Sequence, residues 1–427
     1  MAGPRIAPHR LRQRLEQLAI IGRDPEGGIT RLPFTPPHQE AVRAVAAMMA
    51  EAGLAVGVDE FGILNGRRDG ASDRPAILVG SHLDTVPRGG MFDGALGVLA
   101  GIECAHALRE AGVALRHPLI IVGFADEEGS GFGLGTLSAR VLVGLVPRNQ
   151  FARLHDATGR SLAEHLAARA HGLPVARIPA RVRAYLELHL EQGPVLDRKG
   201  VLAAAVEAIT GTLRTTVTFH GRANHAGTTP MTERADALWG AAEFTLTVRD
   251  LARASGPPAV GTVGQLMVAP GVANIVPGRA ELRLDLRSPD ETRLQALRLQ
   301  IASRAEEIAA ALRLTVEVAA WDHTPAVVLD PRVRASIIHA LETCGQAPLV
   351  LESWAGHDAG IIAQYAPAGM IFVATTGGIS HAPDEHAPWP AVEVGAQVLL
   401  ETLLALDASD HAGEMIPLAY ESEQRLA

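Results

Sequence analysis

Short, fully apolar runs alternate along this chain with longer stretches in which apolar residues recur every three or four positions. That alternation predicts buried strands joined by helices. Leu11, Leu15, Leu18 and Ile21 keep helical spacing and predict a first amphipathic helix. A Gly/Pro-rich connector covers 22–36. Pro37 then opens a helix through Met49 that stops at Gly53, with Pro just inside the start and Gly just past the end. Short strands around 55–58 and 62–65 precede the apolar run 76–79, which is bounded by Ser81 and reads as a buried strand. From Gly94 to Leu108 small and apolar residues fit a helix that closes near Gly112. The run 118–125, PLIIVGFA, predicts a second buried strand. Residues 182–190 alternate strictly, with Val182, Ala184, Leu186, Leu188 and Leu190 on one face and Glu187 and His189 on the other.

The pattern changes near residue 211. An alternating strand at 213–220 is followed by a helix at 231–251, strands at 260–267 and 280–287, a helix at 291–312 and a strand at 314–320. That βαββαβ order predicts a ferredoxin-like unit, a four-stranded sheet with two helices on one face. The earlier pattern resumes with a helix at 331–344, a strand at 370–374 and a helix at 392–406, and the tail after Asp407 reads as weakly structured. The expected fold is therefore an α/β domain with a mixed, mostly parallel sheet, formed by residues 1–210 and 325–427 and interrupted by an insertion at 211–324. A length of 427 residues is itself too great for one ordinary core.

Composition narrows the function classes. A hydrophobic fraction of 48% with 20% charged residues describes a globular protein, and a net charge of −9 argues against nucleic acid as the main partner. Two cysteines, Cys104 and Cys344, are too few for a disulfide framework or a zinc knuckle, and Cys104 reads as inert packing in an apolar helix. The N-terminal stretch lacks the apolar core of a signal peptide, and no apolar run reaches membrane-spanning length. No membrane partner is expected, and the cytoplasm is the expected location.

Chemistry gathers where the predicted strands end, the side of an α/β sheet on which ligands usually bind. His82 and Asp84 follow the run 76–79, then a loop with Pro87, Gly89 and Gly90, then Asp93. Asp126, Glu127 and Glu128 follow the run 118–125. Adjacent carboxylates repel, so a positive charge is expected beside them; a metal ion would supply it and leave one carboxylate as a base. His189 heads a polar cluster with Glu191 and Gln192, and His381 follows the strand 370–374. Taken singly, each has a plainer reading: Asp84 and Asp93 as turn caps, His82 as packing, the acids as a solvated face. Taken together, histidine nitrogens and carboxylate oxygens without cysteine suit Zn²⁺, Mn²⁺, Co²⁺ or Ni²⁺. Five ligands with one shared carboxylate make a two-metal site in which a bridging water is acidified. A serine mechanism has less support, because no G-x-S-x-G elbow surrounds Ser81. The glycine-rich GSGFGLG follows the acids, where a phosphate would be repelled.

The segments GSHLDTVPRGGMFDGALGVLAGIE, FADEEGS, ELHLEQGPVL, GRANHAGTTPM, AGHDA and GGISHAPDE resemble the dinuclear-metal amidase group that contains N-carbamoyl-L-amino-acid hydrolases, allantoate amidohydrolases and β-ureidopropionases. That group lies within the superfamily of aminoacylases and zinc carboxypeptidases. The resemblance runs from GGITRLPFTP onward, and the histidine of ELHLEQG separates this group from relatives that place an acid there. It implies two divalent ions per chain, with His82, Asp93 and His189 on one, Asp93, Glu128 and His381 on the other, and Asp93 bridging. It implies Glu127 as general base and Asp84 as the acid that orients His82. It further implies that the insertion is a lid and dimerisation domain, so that the protein is a homodimer. There His225 would stabilise the tetrahedral oxyanion, Arg287 would clamp a substrate carboxylate, and Asn274 would bind substrate together with Gln192 and His357. The plainer reading of Arg287 is an ion pair with Asp285 or Asp290, and of Asn274 a turn residue.

Gly131 stands where the group usually has a larger residue, Trp354 where a glycine is usual, and Thr375–Thr376 where proline-serine is common. None of these is an implied ligand, so they bear on the substrate and not on the reaction type. The expected activity is hydrolysis of a linear C–N bond in a small amino-acid-like substrate carrying a carboxylate, most of all the ureido group of an N-carbamoyl-L-amino acid. An N-acyl amino-acid amidase with the same metal site is the alternative. A binding protein that has lost catalysis is disfavoured, because all five ligand positions and Glu127 are present.

Overall fold

The computed structural model describes residues 3–71, 74–256 and 259–409, so the expected weakly structured tail beyond residue 409 lies outside the described residues. The described residues form two compact units, one within 3–207, 329–351 and 355–409, the other within 208–328 with 352–354.

In chain order the strands are β1 (Ala55–Val58), β2 (Leu64–Arg68), β3 (Ala76–His82), β4 (Leu119–Phe124), β5 (Val182–Leu190) and β6 (Ala203–Ile209). They continue as β7 (Gly211–His220), β8 (Asn224–His225), β9 (Val260–Ala269), β10 (Ile275–Val276), β11 (Arg279–Ser288), β12 (Thr315–Val318), β13 (Asp322–Thr324) and β14 (Val327–Val328), then β15 (Val350–Ser353) and β16 (Ala368–Val373).

The larger sheet has the order β1-β2-β4-β3-β5-β16-β6-β14, with β15 also on β6. Only the centre of it, β4-β3-β5-β16, is parallel. The margins β1-β2-β4 and β16-β6-β14 are antiparallel, which corrects the expectation of a mostly parallel sheet. Apolar runs specify burial and carry no information about strand direction. β3, β4 and β16 are buried along their whole length, as central strands covered on both faces should be. The helix Ala95–Glu110 packs on β3, β5 and β4 and on three other helices, and accordingly is apolar and buried almost all round. The helix Trp389–Ala408 packs on β5 and β16. Because the four central strands run the same way, their carboxyl ends at His82, Phe124, Leu190 and Val373 share one edge.

The second unit has the sheet order β12-β7-β11-β9, wholly antiparallel, with β13 also on β7. That is the ferredoxin-like order, with the first and third strands of the motif in the middle. The helices Ala237–Ala254 and Glu291–Ala311 bury Phe244, Val248, Leu294, Leu297 and Ile301 with Leu213, Val217, Phe219, Leu282 and Leu284 of the sheet. The first of them begins later than the periodicity predicts: Met231–Glu233 is a single 3₁₀ turn, and the α-helix starts at Ala237 because the Asp236 carboxylate caps the Leu238 N–H. β9 lies at the sheet edge and exposes Val260, Leu266 and Met267. Among the described residues, no helix is long and apolar enough to cross a membrane.

Candidate active site

The edge formed by the central strands collects the predicted chemistry of the first unit. β3 delivers His82 and β5 delivers His189, both buried. The loop after β3 leads to Asp93, and Gly94, at φ 65°, turns the chain into the helix Ala95–Glu110. A side chain on Gly94 would be strained in that conformation and would meet the His82 ring at 2.5 Å. His381 follows β16 with a positive φ of 56°.

The two buried imidazoles are oriented alike. Nδ1 of His82 lies 3.0 Å from the Asp84 carbonyl oxygen, and Nδ1 of His189 lies 3.1 Å from that of Leu190. A carbonyl can only accept, so each Nδ1 donates its N–H, and Nε2 is the ring nitrogen left to face the site. Both Nε2 atoms point at the same carboxylate oxygen, Asp93 Oδ1, at 3.6 and 3.2 Å, and the pull of Asp93 raises the proton affinity of both rings against the cost of burial. The other oxygen, Oδ2, faces His381 Nε2 at 3.2 Å and accepts a hydrogen bond from Gln192 Nε2 at 3.0 Å. His381 Nε2 in turn lies 3.4 Å from Glu128 Oε1, and Glu127 Oε2 lies 3.9 Å from His82 Nε2.

Asp84 is fully buried, and its carboxylate does something other than expected. It is the main-chain carbonyl that receives the His82 N–H; the carboxylate is 3.8 Å from that nitrogen. Its oxygens instead accept the N–H groups of Glu127 and Glu128, both at 3.3 Å, and so fix the backbone that carries those two acids.

The electrostatics are out of balance without a cation. Burial, with repulsion from Glu128, Asp358 and Asp84, pushes Glu127 well above the usual carboxylate range against the pull of His82. Burial and Asp93 raise Glu128 to about 7. Asp93 is penalised by burial yet held well below the ordinary range by His189, His381 and His82. Asp358, also fully buried, has no hydrogen-bond partner on either oxygen. The buried cation of this region, Arg31, donates to the carbonyls of Leu83, Leu18 and Ile21 and not to a carboxylate.

The donor set therefore fits divalent cations. Two histidine Nε2 atoms face one carboxylate oxygen, where a divalent cation would take the place of the shared protons and be held by all three groups. The ligand atoms of His82, Asp93 and His189 lie within 4.8 Å of one another, as do those of Asp93, Glu128 and His381 and of His82, Glu127 and Glu128. A further cluster, Glu187 with His189 and His357, is less available: the Glu187 oxygens already accept from Ser81 Oγ, Tyr185 Oη and the Ala359 N–H. His357 is buried edge-on against His189, with ring centroids 4.5 Å apart, and burial and His189 hold its pKa well below the ordinary value.

The remaining predicted residues belong to the second unit. His225 on β8 pairs with Ile275 on β10, which places it beside Asn274, whose carbonyl accepts the Ala226 N–H. Nδ1 of His225 accepts the N–H groups of Gly227 and Thr228 at 3.1 and 3.2 Å, so in the neutral ring the proton sits on Nε2. Arg287 makes the ion pair of the plainer reading, with Nε 2.9 Å from Asp285 Oδ1, and also donates to the Trp354 carbonyl at 3.0 Å.

Two of the sequence departures have structural reasons. A side chain at Gly131 would approach Pro33 Cγ to 2.5 Å, so glycine is required beside this proline. Thr375 Oγ1 accepts the Gln192 N–H at 3.1 Å and thereby helps hold a residue whose φ is 55°. Glu385, which sequence reasoning passed over, is buried beside the Asp93 loop and accepts the N–H groups of Phe92 and Asp93. Its only sequence signal was its place in the motif GGISHAPDE.

Comparison with known proteins adds independent findings. The model of peptidase family M20/M25/M40 matches residues 78–405. An N-carbamoyl-L-amino acid amidohydrolase from Geobacillus stearothermophilus is 41% identical over 409 residues, spanning 94% of this chain and 99% of that protein. An allantoate amidohydrolase from Escherichia coli is 33% identical over 399 residues, spanning 93% and 97%. The crystal structure of an amidase of the hydantoinase/carbamoylase family from Burkholderia multivorans superposes with a TM-score of 0.88 at 33% identity, covering 95% of this chain and 99% of that one.

Proposed function

The chain belongs to peptidase family M20/M25/M40, and from that premise we propose that it is a metal-dependent hydrolase of linear C–N bonds whose substrate is an N-carbamoyl-L-amino acid. The relative from G. stearothermophilus, similar over nearly its full length, bears the name of that activity. The observation that carries the mechanism is Asp93, whose two oxygens face different ligand sets, Oδ1 towards His82 and His189 and Oδ2 towards His381.

On this reading His82, Asp93 and His189 would hold one divalent ion and Asp93, Glu128 and His381 a second, drawn from Zn²⁺, Mn²⁺, Co²⁺ and Ni²⁺. When bound, such a pair polarises the ureido carbonyl and acidifies a water. Glu127, a largely enclosed carboxylate with a high proton affinity, takes the proton from the attacking water and passes it to the leaving nitrogen. Ammonia departs, and the carbamate left behind breaks down to carbon dioxide and the free amino acid. His225 donates Nε2–H to the oxyanion, the tautomer its own backbone neighbours impose. Arg287, with Asp285 fixing its plane, binds the substrate carboxylate, and Gln192, Asn274 and His357 complete the substrate contacts. The chain pairs as a homodimer through the edge strand β9, whose exposed Val260, Leu266 and Met267 suit a second copy of the same edge.

The test is ammonia release by apoprotein and by protein reconstituted with each metal. The substrates are N-carbamoyl-L-amino acids, N-carbamoyl-β-alanine, allantoate and an N-acetyl amino acid. The expected result is metal-dependent ammonia from an N-carbamoyl-L-amino acid, reduced about 10²–10⁴-fold in Glu127→Gln. Release of acetate alone would move the function to the amidase alternative, and equal rates with and without metal would refute the mechanism.

A further inference from the structure

Two loops must be brought into register for the proposed site to exist: the one that ends at Asp93 and the one that carries His381. Glu385 touches both. One of its carboxylate oxygens, Oε1, accepts the backbone N–H groups of Phe92 and Asp93, each at 3.1 Å. The other, Oε2, accepts the hydroxyl of Ser380 at 2.7 Å, and Ser380 immediately precedes His381. Ser380 Oγ is itself 3.4 Å from Asp93 Oδ2 and from Gln192 Nε2. The contact is built in from the other side as well. A Cβ at Gly90 would lie 2.1 Å from Oε1, so the carboxylate reaches the Asp93 loop only because residue 90 has no side chain.

We infer that Glu385 is a positioning residue for the metal centre: its carboxylate clamps the Asp93 loop to the His381 loop and thereby sets the spacing between these two proposed ligands. Its role is exerted through the residues that it holds, Phe92, Asp93 and Ser380. Among the described residues no lysine or arginine hydrogen-bonds this buried carboxyl group, and its hydrogen bonds go only to the two loops. The inference rests on the metal site proposed above. Outer partners of this kind orient ligands, and their loss typically costs 10–100-fold in metal affinity.

Three variants separate the clamp from charge and from general stability. Glu385→Ala removes both arms. Gly90→Ala leaves the carboxylate in place but pushes it off the Asp93 loop. Glu385→Gln removes the charge and keeps the clamp, since Oε1 can accept the two N–H groups and Nε2 can donate to Ser380 Oγ. Apoprotein is titrated with Mn²⁺ and Co²⁺ by calorimetry, the visible Co²⁺ spectrum is recorded, and the Tm of each apoprotein is measured. The expected result is a 10–100-fold loss of affinity and an altered Co²⁺ spectrum in Glu385→Ala and Gly90→Ala. Their apoprotein Tm should stay near that of the parent, and Glu385→Gln should behave like the parent. Should Glu385→Ala not fold, Gly90→Ala decides alone. Parental affinity in Gly90→Ala would overturn the inference, as would a Glu385→Gln variant as weak as Glu385→Ala. Failure of the parent itself to bind metal would instead refute the site on which the inference rests.

Discussion

At the scale of single residues, the gathering of His82, Glu127, Glu128, His189 and His381 was legible because each lies at or just past the end of a strand whose apolar character stands out in the sequence, while their assignment as ligands came from the family resemblance. His82, His189 and His381 needed only the rule that ligands gather beyond parallel strands. What the sequence does not encode is which atom of a residue does the work. Asp84 was expected to orient His82 with its carboxylate, whereas its carbonyl does so and the carboxylate holds the backbone of Glu127 and Glu128. Glu385 was illegible for a related reason: an acid four residues after a histidine in a loop looks like surface charge until Gly90 is seen to make room for it.

A second buried acid, away from the site, gives a prediction at this same scale. Asp59 accepts the N–H groups of Phe61 and Ile63 through one oxygen, and burial raises its pKa from 3.8 to about 7. Below about pH 4 it is protonated in both the folded and the unfolded chain. Between pH 4 and 7 the unfolded chain ionises first, so stability falls as pH rises through 7 and then levels off. Asp59→Asn keeps the acceptor and removes the titration. It should flatten that slope, by an amount on the order of a few kcal/mol between pH 5 and 8 in urea unfolding. An unchanged slope would show that the carboxyl ionises at its ordinary pKa.

Between elements, the clearest dependence is that of the N-terminal helix on the central one. Glu103, fully buried in the helix Ala95–Glu110, accepts Arg10 Nη2 and Nε and the Ala7 N–H, all at 2.7 Å, and pairs with buried Arg14 at 3.4 Å. Removing one partner of a buried pair strands the other, which typically costs about 3–5 kcal/mol. Glu103→Ala should therefore lower the free energy of unfolding by that amount, while kcat per folded molecule stays near the parental value. A loss below about 1 kcal/mol would mean that water replaces the carboxylate. The helices and strands themselves were largely legible from periodicity, and the ferredoxin-like order of the second unit followed from element order alone. The antiparallel margins of the larger sheet were not, because β2 and β6 carry no signal for the direction in which they enter.

For the molecule as a whole, β9 is the feature with a testable consequence. An edge strand that exposes apolar side chains invites pairing, and proteins that stay monomeric usually place lysine or proline there. The double variant Leu266→Lys, Met267→Lys should halve the mass found by light scattering, from two chains to one. A parent already of one-chain mass would remove the proposed dimer.

That site is assembled from residues scattered between the first fifth of the chain and its last tenth. During synthesis His82 and Asp93 leave the ribosome first, then Glu127, Glu128 and His189, then the whole second unit, and only afterwards His381 with Glu385. No nascent fragment that stops before residue 381 contains the complete set, so up to that point the chain carries its concentrated acids without the third proposed histidine ligand. Contacts so distant in sequence close late and slowly. Capture of the ion would then be a late event of folding, a chemical signature that the two ends of the larger sheet's loop set have met.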